Sequence, residues 1–399
     1  MLKTVLPALD FLARTALETT AERQKNGLAR NGLAPNLAIC DAFLRGEKRM
    51  GLLYNANSLT QDGRDALAVL RALGADVRAL FSPEHGPNAD REGEIESGAL
   101  GALPVYSLYG KTRRPTPEML DGLDAICVDL QDVGARFYTY SSTLFHVLEE
   151  CAKSGVAVVV FDRPNPLGDA VEGPIIESDC FSFIGYAPLP ITHGMTMGEL
   201  ARFFVAWRGL DVELHVVPIE NHDRKTLWPQ TELVWRRPSP NLPDFRAAIW
   251  YPGLCLLEFC DFAVGRGTDA PFQILAAPTL DTKRFLAHWE NFAGVQARAE
   301  IARPAHAKFE GKLCHAIRFG RENSELAPEN VVEFGFAVMA TLARSQENLE
   351  RESWDKSAQL IGSKDVVEAL WNGDLESVLA RSRADAAQFR EIRAPFLLY

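Results

Sequence analysis

Two glutamates occupy positions from which a carboxylate could do acid–base chemistry on a sugar. Glu84 lies at the end of a predicted strand, next to His85. Glu149 lies on a predicted helix, about 150° from the centre of its apolar stripe at about 100° per residue, and shares that face with Ser142 and Phe145. A carboxylate beside aromatic rings suits the binding and cleavage of a sugar if this helix face lines a cleft. The same periodicity also describes an ordinary solvated helix glutamate, so both interpretations stay open.

Polar, turn-forming segments follow four of the five strands predicted in the first half of the chain, at residues 55–57, 83–86, 131–136 and 162–166. The carboxyl ends of parallel strands meet at one edge of a sheet, where ligands bind. Turns require Gly, Asn, Asp or Pro but have no need of Glu, His or Arg. Glu84 with His85, and Asp132 with Arg136, therefore favour a binding site over plain turns.

These segments depend on an alternation of short apolar strands and helices that begins at Met50. The predicted strands are residues 51–54, 76–81, 105–108, 125–130 and 156–161, and the helices between them are 64–73, 117–123 and 141–153. This alternation is typical of α/β proteins, and right-handed crossovers would make it a parallel, Rossmann-like sheet. The sequence predicts three regions: an N-terminal helical extension (1–36), a Rossmann-like catalytic domain (37–217) and a smaller C-terminal α/β domain (218–399).

The later part of the chain has a looser pattern. Residues 197–207 are predicted as a helix, 212–217 as a strand and 231–243 as an extended segment rich in Pro and polar residues. Beyond residue 280 helix and strand are mixed, with amphipathic helices predicted near 281–292, 331–345, 349–359, 366–372 and 375–387.

Composition narrows the class of partner. The chain has 399 residues, of which 47% are apolar and 24% charged, so ordinary hydrophobic cores are expected rather than disorder or a coiled coil. A net charge of −11 lacks the basic field that nucleic-acid binding requires. We therefore expect a small or uncharged ligand and no nucleic-acid partner.

Cysteine usage and the N-terminus predict a cytoplasmic location. The seven cysteines form no CxxC pair, and several lie inside apolar runs, as expected of reduced core thiols. Asp10 and Arg14 interrupt residues 1–17 before a signal-like apolar core can form, and no later stretch of 18 apolar residues occurs. No membrane partner is expected.

Cofactor motifs are missing from the sequence. It contains no GxGxxG or GxxxxGK[ST] loop and no GxSxG elbow, so neither a dinucleotide, a nucleoside triphosphate nor an α/β-hydrolase triad is indicated. Residues 265–268 (GRGT) offer backbone amides and the Arg266 guanidinium to a carboxylate or sugar, or form a plain turn. His85, Asp129, Asp132, Asp162 and His193 lack an HxH or HExxH spacing, so no metal is expected.

Eight ordered blocks give the chain a resemblance to a known family. They are residues 82–86 (SPEHG), 103–110 (LPVYSLYG), 129–140 (DLQDVGARFYTY), 162–168 (DRPNPLG), 171–174 (VEGP), 193–200 (HGMTMGEL), 238–241 (PSPN) and 265–268 (GRGT). Together they resemble the exo-acting β-N-acetylmuramidases of peptidoglycan turnover, the NamZ-type glycoside hydrolases. The C-terminal third follows that family only in general character.

The resemblance implies a Rossmann-like domain joined to a smaller α/β domain, with a cleft between them that releases terminal N-acetylmuramic acid from the non-reducing end of peptidoglycan fragments. The family's proposed catalytic pair carries over to Glu84 and Glu149, with Glu150 adjacent to the second. The candidate substrate-binding residues are Asn55, His85, Asp132, Arg136, Tyr138, Arg163, Asn165, Glu172, His193 and Arg266.

Two departures from the family pattern concern the first loop and export. The usual TNPTG-like loop is replaced by residues 54–58 (YNANS), which affects the details of sugar contact. Many members are exported, whereas this sequence has no recognisable signal segment, which favours cytoplasmic recycling over wall digestion outside the cell.

Glycoside cleavage needs a proton on the leaving oxygen and stabilisation of an oxocarbenium-like centre. We expect Glu84 to be the acid, with a pKa raised by burial or a neighbouring carboxylate, and Glu149 to stay ionised. Arg136, Arg163 or Arg266 could pair with the lactyl carboxylate of muramic acid. The 2-acetamido group could act as the nucleophile, so retention and inversion both stay open.

The alternatives to this function are a β-hexosaminidase selective for another sugar and a muropeptide-binding sensor without turnover.

Overall fold

The central element is a seven-stranded sheet that is parallel except at one edge. The computed structural model describes residues 5–15, 42, 45–322, 324 and 327–399. Its strands are β1 (Arg49–Tyr54), β2 (Asp76–Ser82), β3 (Gly98–Leu100), β4 (Leu103–Ser107), β5 (Ala125–Asp129), β6 (Ala157–Phe161), β7 (Val171–Glu172), β8 (Thr192–His193), β9 (Leu214–Val217), β10 (Ile274–Ala277), β11 (Val295–Ala302) and β12 (Cys314–Arg321). The spatial order of the large sheet is β3-β4-β2-β1-β5-β6-β9, and its edge strand β3 pairs antiparallel with β4.

Helices cover both faces of this sheet and build most of the second half of the chain. The α-helices are α1 (Ala8–Thr15), α2 (Ala66–Ala72), α3 (Pro117–Leu120), α4 (Tyr140–Ser154), α5 (Met197–Arg208), α6 (Phe245–Leu254), α7 (Thr282–His288), α8 (Val331–Ser345), α9 (Arg351–Asp355), α10 (Ala358–Ile361), α11 (Lys364–Trp371) and α12 (Leu375–Arg393). Short 3-10 helices lie at Ser178–Cys180, Trp228–Gln230, Cys255–Leu257, Phe292–Gly294 and Ala394–Phe396.

The central strands are apolar on both faces because both faces are covered. In β5, Ile126 and Val128 belong to the core that contains α4 and α5, whereas Ala125 and Cys127 belong to a second core that contains α1 and α2. This period of two places every other side chain of the strand in a different layer. The result is a three-layered, Rossmann-like arrangement.

The second half of the chain contains a three-stranded antiparallel sheet of order β10-β12-β11, with α7 packed on it, and a helical group in which α6, α7, α11 and α12 pack against α8. Helices α6 and α8 cross so closely that Gly335 has no room for a side chain. A Cβ added there would lie 2.3 Å from the carbonyl oxygen of Gly253. The chain then returns to the first half. The Tyr399 hydroxyl donates a hydrogen bond of 2.9 Å to Asp162 Oδ2, beyond the end of β6.

The predicted fold class is confirmed, and all five strands predicted in the first half are present with bounds shifted by a residue or two. Three helix predictions need correction. The predicted helix 281–292 ends at His288, the predicted helix 349–359 is two short helices, and the last helix continues to Arg393. Within the predicted extension 1–36, α1 packs on the sheet, and residues 16–36 lie outside the described residues. The domain borders stay a prediction.

Among the described helices, none is both long enough and apolar enough to cross a membrane.

Candidate active site

A cavity of about 170 Å³ opens at the carboxyl edge of the large sheet, between the two halves of the chain. Both halves contribute to its walls. From the first half come Glu84, His85, Tyr109, Phe137, Tyr138, Thr139 and Ile184. From the second half come Ser239, Asn241, Leu242, Tyr251, Cys255, Glu258, Phe259, Arg266, Phe272 and Leu360.

Glu84 enters this cavity from the turn that follows β2. The next residue, His85, has a φ of 69°, and its Nδ1 lies 2.7 Å from the carbonyl oxygen of Arg91, so the turn is tightly defined. The Thr139 hydroxyl, just before α4, donates a hydrogen bond of 2.5 Å to Glu84 Oε2. The carboxylate is therefore held in place between two loops of the sheet edge.

Tyr109 faces the same carboxylate. Burial, followed by the charge of Glu84 and a hydrogen bond to it, raises the pKa of Tyr109 to about 12. The phenol therefore stays protonated at neutral pH and acts as a donor toward Glu84.

Aromatic rings form the floor of the cavity. The Tyr138 ring centroid lies 4.6 Å from that of Tyr140 and 6.4 Å from that of Tyr251, and Tyr251 contacts Phe272 at 4.8 Å. The Tyr138 hydroxyl donates to the carbonyl of Pro238 at 2.7 Å. Such rings offer a flat apolar surface with a few polar groups at its border, which suits the apolar face of a sugar ring.

Arg266 lies between two carboxylates on the opposite wall. Its Nη1 donates to Glu258 at 2.6 Å and its Nη2 to Glu92 at 2.7 Å. Burial lowers the pKa of Arg266, but the two carboxylates outweigh that effect and the net pKa is raised. The turn needs glycine on one side of Arg266, because a Cβ on Gly265 (φ 82°) would lie 2.6 Å from the Ala270 carbonyl oxygen.

Glu92 connects this arginine to the PSPN segment. Asn241 donates to Glu92 Oε1. Burial raises the pKa of Glu92. The charge of Arg266 and the hydrogen bonds from Arg266 and Asn241 lower it by more than burial raises it, so the net pKa lies below the ordinary value. Glu92 is therefore ionised at neutral pH.

Four of the twelve residues predicted for the site line this cavity: Glu84, His85, Tyr138 and Arg266. The other eight do not belong to its walls.

Glu149 is buried on α4, away from the cavity. It lies ten residues after Thr139, or roughly 15 Å along the helix axis at about 1.5 Å per residue. Its carboxylate pairs with Arg114 at 3.4 Å and Arg208 at 3.3 Å, and His146 Nδ1 lies 3.6 Å away. The solvated interpretation is wrong, because only 7% of the residue is exposed. Glu149 does not line this cavity, and Arg114 and Arg208 from the first half of the chain contact its carboxylate; its catalytic role stays a prediction.

Arg136 and Arg163 are both bound to partners inside the protein, although the buried Nε of Arg136 has no hydrogen-bond partner. Arg136 Nη1 donates to the carbonyl of Leu189 at 2.8 Å and Nη2 to that of Leu360, and burial lowers the pKa of Arg136 to about 9. Arg163 forms a two-point ion pair with Asp129, with Nη2 2.9 Å from Oδ2. Neither guanidinium faces the cavity, contrary to the expectation for a ligand-binding arginine.

Asn55 and Asp132 support the loops around the cavity. The Asn55 amide donates to the hydroxyl of Tyr140 at 2.7 Å, and Asp132 Oδ2 accepts from the backbone N–H of Gly134 at 2.7 Å. Both side chains are buried behind the aromatic floor, so they fix its shape rather than face a ligand.

Asn165 and His193 share a partner behind the same edge. Asn165 Nδ2 donates to the Met195 carbonyl at 3.1 Å, and the Met195 N–H donates to His193 Nδ1 at 3.2 Å. Glu172 accepts from the N–H of Val332 at 2.9 Å, at the start of α8. These three predicted binding residues also act inside the fold.

Of the residues considered as metal ligands, His193 and Asp132 lie close together, with His193 Nε2 3.6 Å from Asp132 Oδ2, but the others have different partners. Asp129 pairs with Arg163, and Asp162 accepts from Thr196 Oγ1 at 2.6 Å. Within the described residues, no group of three or more His, Cys, Asp or Glu side chains is placed to hold a metal ion.

Several cavity residues were not predicted. Tyr109, Thr139 and Asn241 lie inside the eight blocks that carry the family resemblance but were not singled out. Glu258 has a detectable signal, since it is the one charge in the apolar run 254–260 (LCLLEFC). A lone carboxylate in such a run needs a partner or a function when it is buried.

Family models match nearly the whole described chain. The N-terminal model of the exo-β-N-acetylmuramidase NamZ matches residues 50–246, and the C-terminal model matches residues 249–399. The peptidoglycan β-N-acetylmuramidase NamZ of Bacillus subtilis (strain 168) is 35% identical over 369 residues, which cover 88% of this chain and 87% of that protein.

Solved structures share the fold. One DUF1343-family protein of Bacteroides fragilis NCTC 9343 has a TM-score of 0.83 at 26% identity and 99% coverage of both chains. A second from the same organism has a TM-score of 0.72 at 25% identity, covering 100% of this chain and 99% of that one. With both family models in order along the chain and a relative at 35% identity, this chain belongs to the NamZ family of exo-β-N-acetylmuramidases, which are glycoside hydrolases.

Proposed function

We propose that this enzyme releases terminal N-acetylmuramic acid from the non-reducing end of peptidoglycan fragments. The Bacillus subtilis relative is named for β-N-acetylmuramidase activity on peptidoglycan. The observation that carries the proposal is the placement of the Glu84 carboxylate and the Glu258 carboxylate in one aromatic-floored cavity. A glycosidase needs two carboxyl groups, or one and a substrate group, around the bond that it cleaves.

Glu84 is the general acid in this proposal. It reaches the cavity from a tight turn, and the Thr139 and Tyr109 hydroxyls keep its carboxyl group oriented. An acid held in this way donates its proton to the leaving glycosidic oxygen, which lowers the barrier for bond cleavage.

Glu258 is the second carboxylate. It lines the cavity and forms an ion pair of 2.6 Å with Nη1 of Arg266. An ionised carboxylate can stabilise the oxocarbenium-like centre, activate water or orient the 2-acetamido group of the sugar. Glu149 remains the alternative that the family resemblance implies, and its contacts with Arg114 and Arg208 suit a supporting role for α4.

A cytoplasmic location and a part in wall recycling belong to the same proposal. The described cysteines are all buried and free of disulfides, which suits a reducing compartment. They are Cys127, Cys151, Cys180, Cys255, Cys260 and Cys314. Cell fractionation with an antibody against the protein tests this point, and recovery outside the cytoplasm would contradict it.

The decisive experiment compares a chromogenic β-N-acetylmuramide with the matching β-N-acetylglucosaminide. We expect turnover of the muramide, a clear preference for it, and no loss of rate after treatment with a chelator. Preference for the glucosaminide would indicate a hexosaminidase for another sugar. Binding of muropeptides without turnover of either substrate would indicate a sensor.

A further inference from the structure

An arginine that stacks on a wall residue of the cavity has no carboxylate partner among the described residues. Arg113 is exposed and makes no ion pair with any described residue. Its guanidinium carbon lies 5.1 Å from the ring centroid of Tyr109 and 4.5 Å from that of Phe183. Stacking on two rings orients a guanidinium while leaving the N–H groups at its edge free to bind a ligand.

The two rings connect Arg113 directly to the catalytic cavity. Tyr109 is itself part of the cavity wall and faces Glu84, and Phe183 precedes the wall residue Ile184. Arg113 is thus separated from the proposed acid by a single aromatic side chain. A carboxylate carried by a sugar on the Tyr109 side of the cavity would lie next to this guanidinium.

The charges around the cavity favour an additional, unpaired cation for the binding of an anionic sugar. Glu258 and Glu92 share the single positive charge of Arg266, so these three groups carry a net negative charge even when Glu84, as the proposed acid, is protonated. An anionic sugar that enters meets a surplus of negative charge, which disfavours binding unless an unpaired cation offsets it.

The three arginines considered from the sequence are not available for this task. Arg136 is enclosed and donates to carbonyl oxygens, Arg163 is paired with Asp129, and Arg266 lies between two carboxylates. Arg113 differs from all three because it is exposed and forms no ion pair with a described residue.

We propose that Arg113 binds the lactyl carboxylate of N-acetylmuramic acid and so determines the preference for this sugar over N-acetylglucosamine, which carries a hydroxyl at the same ring position. A guanidinium and a carboxylate form two parallel hydrogen bonds, a geometry that a hydroxyl does not reproduce. The inference rests on the proposed function, and its test separates the two.

The first experiment measures kcat/KM on the chromogenic muramide and glucosaminide for wild type, Arg113→Ala, Arg113→Lys and Lys111→Ala. We expect Arg113→Ala to lose roughly 10- to 150-fold on the muramide and to keep its rate on the glucosaminide, as for loss of one charge-assisted contact. Arg113→Lys keeps the charge and should recover part of the loss. Lys111→Ala is the matched control, because it removes one exposed charge from the same loop and should leave the selectivity unchanged.

The second experiment measures binding without turnover. Calorimetry with free N-acetylmuramic acid and free N-acetylglucosamine is done in the Glu84→Gln background, with and without Arg113→Ala. We expect the arginine substitution to weaken binding of the acidic sugar only. Unchanged selectivity and affinity in Arg113→Ala would overturn the inference while leaving the proposed function intact. A wild-type enzyme without preference for the muramide would overturn both.

Discussion

The Thr139 hydroxyl donates a hydrogen bond of 2.5 Å to Oε2 of Glu84 and so joins the start of α4 to the turn after β2. Thr139 is the residue that precedes the first helical residue, Tyr140, and the Tyr140 hydroxyl lies 3.4 Å from the backbone carbonyl oxygen of Glu84. The side chain and the backbone of the proposed acid are therefore both attached to one helix terminus. This attachment fixes the direction in which the carboxyl group enters the cavity.

Removal of this hydroxyl tests the positioning. Thr139→Val keeps the shape of the side chain and should lower kcat/KM on the muramide by about 10-fold, the loss that corresponds to one hydrogen bond worth about 1.4 kcal/mol. Thr139→Ser keeps the hydroxyl and should retain most of the activity. Steady-state kinetics with both variants check the prediction, and equal rates for valine and wild type would contradict it.

Substrates with different leaving groups distinguish a catalytic role of Glu84 from a purely structural one. Glu84→Gln keeps the volume and removes the proton, so turnover of a disaccharide should fall by about 10²- to 10⁴-fold. An activated phenol needs no protonation to leave, so the variant should recover much of its rate on an activated phenyl muramide. A loss of the same size on both substrates would mean that Glu84 is not the acid.

The second carboxylate is identified by comparing Glu258→Gln with Glu149→Gln. We expect Glu258→Gln to lose activity by about 10²-fold or more on every substrate, including activated ones, because it removes a charge next to the reacting centre. Glu149→Gln should keep most of the rate per folded molecule and lose thermal stability, because Arg114 and Arg208 lose their shared partner.

Glu92→Gln is the matched control for that comparison. It also removes a carboxylate partner of Arg266, but Glu92 does not line the cavity. Its effect on kcat should therefore be much smaller than that of Glu258→Gln. A full loss of activity in Glu149→Gln, with Glu258→Gln near wild type, would reverse the assignment.

The sequence was sufficient for the residues whose position depends on local pattern. The alternation of strands and helices placed the carboxyl edge, and Glu84 and His85 stood out because a turn does not need them. Tyr138 lies in the separate block at residues 129–140, between a predicted strand and a predicted helix, and so was also expected at this edge.

The sequence was insufficient where a contact joins distant segments. Periodicity placed Glu149 on a face of α4, but not the arginines at 114 and 208 that cover this face. Arg136 has the residue type of a ligand-binding group, yet the carbonyls of Leu189 and Leu360 satisfy it from two other parts of the chain. Glu258 becomes a cavity residue only after the second half of the chain folds against the first.

Arg136 should be important for stability and neutral for selectivity. Its substitution by Ala leaves buried carbonyl oxygens without a donor, which costs about 1–3 kcal/mol for each such group. Arg351→Ala, at an exposed ion pair, should change the free energy of unfolding by about 1 kcal/mol or less. Urea unfolding measures both, and the muramide-to-glucosaminide ratio of Arg136→Ala should match wild type. A stable variant that loses this ratio would place the lactyl carboxylate at Arg136 instead.

Glu172 should make stability fall as the pH rises above the acidic range. Burial raises the pKa of Glu172 to about 8 from an ordinary value of 4.5, the N–H groups of Val332 and Val331 act in the opposite direction, and the charge of Glu333 raises it further. Between these two pH values the folded protein holds a proton that the unfolded chain has released. The free energy of unfolding then decreases with pH, by at most about 1.4 kcal/mol per pH unit.

Glu172→Gln removes this proton and keeps an oxygen that can accept from Val332. The variant should therefore gain stability relative to wild type as the pH is raised from 5 to 8, measured by urea unfolding at several pH values. The exposed Glu118, whose pKa is lowered by hydrogen bonds from Thr116 and its own backbone, gives the control. Because its carboxylate is ionised in both states throughout this range, Glu118→Gln should shift stability by a constant amount. If the difference between Glu172→Gln and wild type is equally constant, the buried carboxyl group is already ionised in the folded protein and the prediction is wrong.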